Sequence, residues 1–193
     1  MRQTKTDRRS LRTRRTLMRA MVDLMRVKRY DVITVQEITD HANVGRSTFY
    51  AHFTDKDDLL VDGVHRMIET LDTSTTANPD GRGTWPYPSL ALLHHIGAQA
   101  DLYQVMARGR ALALFLGALH DKLTSKFAER LAARVPPGAT PAVPVPLLAA
   151  MTTSMLIAAI RSWIEDGLAE PAESIDHAFH IAADATIRAG LRS

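Results

Sequence analysis

The chain contains no cysteine. That excludes a disulfide framework, a thiolate metal site and a cysteine nucleophile. It also lacks a glycine-rich phosphate loop, a Gly-x-Ser-x-Gly elbow and an HExxH pair, so the usual signatures of nucleotide, hydrolase and zinc-protease chemistry are missing. No apolar run approaches the roughly 18 residues of a membrane span, and no apolar stretch of the signal-peptide kind follows the N-terminus. Histidine adds little. His94 and His95 are adjacent, so their side chains diverge on a helix. His177 and His180, with Asp176 and Asp184 near, have the residue types of a metal site, but polar residues on an exposed helix face are the simpler reading. The expectation is no catalytic residue, no metal, no cofactor, no membrane association and a cytoplasmic protein.

What is present is charge, unevenly placed. Residues 1–30 hold eleven Lys/Arg against Asp7 and Asp23, an excess of +9 in a 193-residue chain whose net charge is +3, which leaves −6 on the rest. A basic head on a mildly acidic body is the electrostatic footprint of a nucleic-acid binder. Residues 1–8 read as a disordered arm able to order on DNA. Residues 9–29 read as an amphipathic helix, with Leu17, Met21, Leu24, Met25 and Lys28 spaced by three and four. Its arginines, Arg14 and Arg15 among them, are expected near backbone phosphates.

The stretch TVQEITDHANVGRSTFYAHF, residues 34–53, reads as helix, tight turn, helix. Thr34 with Glu37 makes a capping box. Asn43 tolerates the left-handed backbone that ends many helices. Val44 plugs the turn, and Gly45 begins the next helix. Phe49 and Phe53 face inward, so Arg46, Ser47, Thr48, Tyr50 and His52 point elsewhere. Such a short second helix suits the major groove of DNA. Asp55 then caps a further helix to about residue 72, with Asp58 at the capping-box position.

On these residues, ITVQEITDHANVGRSTFYAHFTDKDDLL resembles the DNA-binding domain of the TetR family of transcriptional regulators. Gly45 stands where many members have a serine cap, and Ser47 where many have glycine. The resemblance implies an all-α homodimer of about nine helices: an N-terminal helix-turn-helix domain (1–55), a connecting helix (56–72) and a C-terminal ligand-binding and dimerisation domain (73–193). It implies a DNA-facing set of Thr34, Gln36, Gly45, Arg46, Ser47, Thr48, Tyr50, His52 and Lys56, joined by Arg14 and Arg15. Arg46 and Thr48 would read bases, while Tyr50, His52 and Lys56 would position phosphates.

Beyond a Pro/Gly/Thr-rich boundary at 73–89, where Trp85 and Tyr87 either gate a pocket or pack over the core, helices are expected near 89–97, 99–107, 109–135, 147–166 and 171–190. The prolines of 135–146 break the long one. Leu92, His95, Tyr103, Met106, Phe115, Leu119 and Trp163 are the pocket candidates for a small apolar effector, by type and position. Met151, Met155, Ala158, Ala159, Ser162, Ile175, Ala178, Phe179 and Ala182 are the dimer candidates, because small and flexible side chains permit close helix approach. The resulting expectation is a ligand-responsive repressor that binds a near-palindromic operator as a dimer. Two readings stay open beside it: a DNA-binding adaptor whose body docks on a protein, and a helical enzyme.

Overall fold

The computed structural model describes residues 3–74 and 89–192; the loop with Trp85 and Tyr87 lies outside them. Among the described residues there are nine α-helices, one short 3-10 turn and no strand. α1 spans Gln3–Val27. It therefore starts earlier than the expected 9–29 and takes in residues 3–8, part of the expected arm. No glycine or proline interrupts residues 3–27, so nothing stops the helix from propagating toward the N-terminus.

The 3-10 turn (Tyr30–Val32) leads into α2 (Val35–Ala42), α3 (Arg46–Tyr50) and α4 (Lys56–Ser74). After the boundary come α5 (Ser89–Gly97), α6 (Ala100–Ala107), α7 (Arg110–Ala132), α8 (Val145–Glu165) and α9 (Ala172–Leu191). Pro146 stands in the first turn of α8, and Pro171 caps α9, positions where a missing N–H costs nothing.

The chain forms two compact units. One comprises residues 1–64 with 101–115, the other residues 65–100 with 116–193. In the first, α1 buries Leu17, Met21 and Met25 alongside Ile33, Ile38, Phe49, Phe53 and Leu59. Tyr103, Met106 and Phe115 are also buried, with the Tyr103 and Phe115 rings edge-on at 5.0 Å. In the second, Leu92, Ile96, Leu119, Phe127, Leu156, Ile160 and Trp163 are buried, and α9 packs on both α5 and α8. Trp163 Nε1 donates to the Glu170 carbonyl at 2.8 Å, which closes the turn between α8 and α9.

α8 is long and apolar enough to cross a membrane by length and composition. Its apolar run is longer than the sequence pattern suggests, because Pro146, Thr152, Thr153 and Ser154 interrupt it. The threonines hide their polarity: Thr152 and Thr153 are fully buried and donate back to the Leu148 and Ala149 carbonyls at 2.6 and 2.8 Å.

Candidate nucleic-acid interface

The helix-turn-helix is fixed locally, one bond at a time. Thr34 Oγ1 accepts from the Glu37 backbone N–H at 3.2 Å, and Glu37 Oε2 accepts from the Thr34 N–H at 2.9 Å. A hydrogen bond from Lys28, then those from Thr34, hold the Glu37 carboxyl down at about 2. Asn43 ends α2 at φ 52°, ψ 49°, in the left-handed region. Val44 N–H then bonds the Thr39 carbonyl at 2.9 Å. Gly45 precedes α3 without a side-chain cap. Phe49 is fully buried and its ring lies 5.7 Å from Phe53. One turn of helix is thereby pinned on its inner face, and Arg46, Ser47, Thr48 and Tyr50 stand exposed on the outer one. The Arg46 guanidinium sits 6.0 Å over the Tyr50 ring. His52 is half-buried beside Phe53.

Other members of the DNA-facing set have partners within the chain. Gln36 Nε2 donates to Asp40 Oδ1 at 2.6 Å. Arg14 pairs with Asp62 at 2.8 Å and lies 4.9 Å over the Phe53 ring, whereas Arg15 is exposed. Lys56 departs furthest from expectation. Its ammonium donates to the carbonyls of Tyr30, Asp31 and Ile33 at 2.8, 3.0 and 2.7 Å. An ammonium has three protons to donate, so the side chain is committed to capping the 3-10 turn. It also lies 4.7 Å over the Tyr30 ring. Burial lowers its pKa, partly offset by Asp57.

Asp55 Oδ1 caps α4, accepting from the N–H groups of Asp57 and Asp58 at 2.8 Å each. Asp58 reaches back one residue further than a capping box requires, to the Thr54 N–H at 3.0 Å. Asp57 has another task that its local sequence does not signal: it accepts from the Tyr30 hydroxyl and from Arg110. Burial pushes its carboxyl up, but those two hydrogen bonds and the charges of Arg110 and Lys56 together leave it below the ordinary range. No local pattern points to Arg110, because Asp57 lies 53 residues away in sequence.

The pocket candidates do not assemble within one unit. Tyr103, Met106 and Phe115 belong to the first, and Leu92, His95, Leu119 and Trp163 to the second. Of the seven, only His95 is not fully buried. A groove of about 190 Å³ does open beside the turn between α8 and α9, lined by Ala159, Ser162, Trp163, Asp166, Ile175 and Ala178 among others. Among the dimer candidates, Phe179 is buried inside its own unit. Met151, Ala158, Ser162, Ala178 and Ala182 are exposed, and Met155, Ala159 and Ile175 half-buried.

Residues 17–62 match the model of the bacterial regulatory proteins, tetR family. The HTH-type transcriptional regulator YxbF of Bacillus subtilis (strain 168) is 39% identical over 74 residues, which cover 37% of this chain and 20% of that protein. The chain thus matches about a fifth of that relative's length. Among solved structures, a TetR transcriptional regulator from Streptococcus agalactiae 2603V superposes with a TM-score of 0.61 at 21% identity, over 94% of this chain and 98% of that one. The dihydroxyacetone kinase operon activator DhaS gives 0.62 at 21% identity, over 93% and 98%. The tetR family match thus covers the head of this chain, residues 17–62, and the fold it shares with these solved regulators extends over nearly its whole length.

Proposed function

We propose that the protein is a sequence-specific DNA-binding transcriptional regulator that works in the cytoplasm as a homodimer and as a ligand-responsive repressor. The observation that carries the reading is the pinned α2–turn–α3 unit with Arg46, Ser47, Thr48 and Tyr50 exposed along one short helix. A helix presented in this way fits the major groove, where bidentate side chains distinguish base pairs. Arg46 and Thr48 are the base readers, and Tyr50 and His52 position phosphates. Exposed Arg8, Arg9, Arg12, Arg15 and Arg19 on α1 supply attraction independent of sequence. Lys56 shapes the head from within rather than meeting a phosphate.

A second copy would cover the exposed α8–α9 face and set two recognition helices on a near-palindromic site. An apolar effector that binds one conformation of the body more tightly would shift the equilibrium between states.

The test is selection of bound fragments from a random DNA pool at near-physiological salt. Enrichment of one near-palindromic site supports the reading, and the position of that site relative to promoters gives the sign. Uniform retention of all fragments overturns it. With the site in hand, Arg46→Ala should weaken its binding roughly ten-fold and leave the melting temperature unchanged. Equal binding by a well-folded variant would remove Arg46 from the interface.

A further inference from the structure

α4 and α7 each pass through the boundary between the compact units with more than a turn on either side. The ion pairs that join them are sorted by sign, with acid on α4 and base on α7. In the first unit the pair is Asp57 with Arg110. In the second, Glu69 meets Lys122 at 3.0 Å, and Asp72 meets Lys126 at 2.7 Å and Arg130 as well. The sequence separations are 53, 53 and 54 for the first three pairs.

The Asp57–Arg110 pair sits inside a larger set of contacts. Arg110 Nε also lies 3.8 Å from Asp31 Oδ1, and its guanidinium is 5.9 Å over the Tyr30 ring. Asp57 accepts from the Tyr30 hydroxyl, and next door Lys56 holds the Ile33 carbonyl. Ile33 immediately precedes Thr34, the N-cap of α2. Direct contacts therefore run without a gap from the first residue of α7 to the start of the helix-turn-helix. A Cβ on Gly109 would stand 2.8 Å from Asp31 Oδ2, a measure of how closely the turn before α7 approaches.

We propose that Arg110 is a positioning residue for the recognition helix. Through Asp57 it fixes the first turn of α4 and the Tyr30–Val32 turn, so a displacement of α7 reaches α2 and α3 by this route. The proposal rests on the DNA-binding reading for its consequence but not for its test. Arg110 is about half exposed, at 54% of its side chain. An ion pair so exposed contributes little to global stability, so its loss should loosen the head locally without unfolding the chain.

The experiment uses the full chain with Arg110→Gln, Asp57→Asn and the double variant. Amide hydrogen exchange is followed without DNA, and affinity is measured for the selected site and for random duplex. In Arg110→Gln, exchange should quicken across residues 30–50 while the melting temperature stays near wild type. Affinity for the selected site should fall about five-fold or more, random-duplex affinity should hold, and the double variant should lose no more than the worse single. Unchanged exchange at residues 30–50, or effects that simply add, would overturn the proposal. Should Arg110→Gln fold poorly, Arg110→Lys, which keeps the charge and loses the fork, reads the same exchange. If the wild type selects no DNA site, the DNA-binding reading falls, and the exchange result still decides the role of Arg110.

Discussion

Charge and role separate at the level of single residues. Arg15 and Lys56 are both cations of the head, yet one is exposed and the other spends its three donors on carbonyls 23 to 26 residues away in sequence. Removing a phosphate-contacting cation lowers the salt slope of DNA binding by about one. Arg15→Gln should therefore lower the slope on random duplex and leave the melting temperature alone. Lys56→Gln should do the reverse: destabilise the chain by about 1–3 kcal/mol, because carbonyls lose their donors, with the slope unchanged. Thermal melts and a salt titration of both variants check this, and a fall in slope for Lys56→Gln would return it to the interface. The Thr34–Glu37 box and the left-handed Asn43 were legible in sequence because each is settled within a few residues. Lys56, Asp57 and Arg14 were not, because their partners lie 23 to 53 residues off, and periodicity says nothing about which distant group a charge will meet.

Helices show the same division between what is local and what is not. The breaks at prolines and glycines placed α5 to α9 within a few residues of their observed ends. Which core an apolar helix joins is another matter: α6 packs with residues 1–64, and nothing in its own sequence says so. Likewise the clasp between α5 and α9 is built from polar residues that looked like surface. Ser89 is buried and donates to Asp176, with His180 Nε2 3.2 Å from the Ser89 hydroxyl and 3.5 Å from Asp176. A second contact of the same two helices joins His94 to Glu173 at 2.7 Å. The hydrogen bond with Asp176 raises the His180 pKa against the effect of burial, and the Asp184 charge adds to it. A raised histidine pKa stabilises the fold fully below the unfolded value of about 6.5, and that stability is lost as pH rises through the folded value. His95 on α5 acts in the opposite sense, since burial lowers its pKa and its contribution fades as pH falls. Comparing His180→Gln with wild type cancels the His95 effect. The loss in melting temperature should be larger at pH 6 than at pH 8.5, and equal losses at the two values would show that His180 acts by packing alone.

At the scale of the whole molecule, α8 poses the question that a single chain leaves open. It buries Leu148, Leu156, Ile160 and Trp163 within its own unit, yet Leu147 and Met151 on it are 53% and 48% exposed. With Ala158 and Ser162 they form a stripe at helical spacing, continued on α9 by Ala178 and Ala182. Such a stripe suits a second copy better than solvent, because small side chains let helices approach closely and the apolar rim gains from burial. The ends of this face also differ in charge. Glu165, Asp166, Glu170 and Glu173 gather at the turn between α8 and α9, and Arg188 and Arg192 lie at the far end of α9. Under a two-fold axis the acidic end of one protomer meets the basic end of its partner, which favours the antiparallel pairing and disfavours the parallel one. Ala158 is exposed within the stripe, so under a two-fold axis a charge placed there enters the proposed interface twice, once from each copy. Like charges so juxtaposed cost several kcal/mol. On the proposed homodimer, Ala158→Glu should therefore leave the protomer folded, since the position is exposed on the single chain, and shift a micromolar sample from dimer to monomer in sedimentation equilibrium. Ala158→Lys should do the same despite its opposite sign, because the repulsion is between identical residues. An unshifted dimer in both variants would place the interface elsewhere on the body. A monomeric variant that still bound a near-palindromic site with wild-type affinity would separate dimerisation from DNA recognition in this chain.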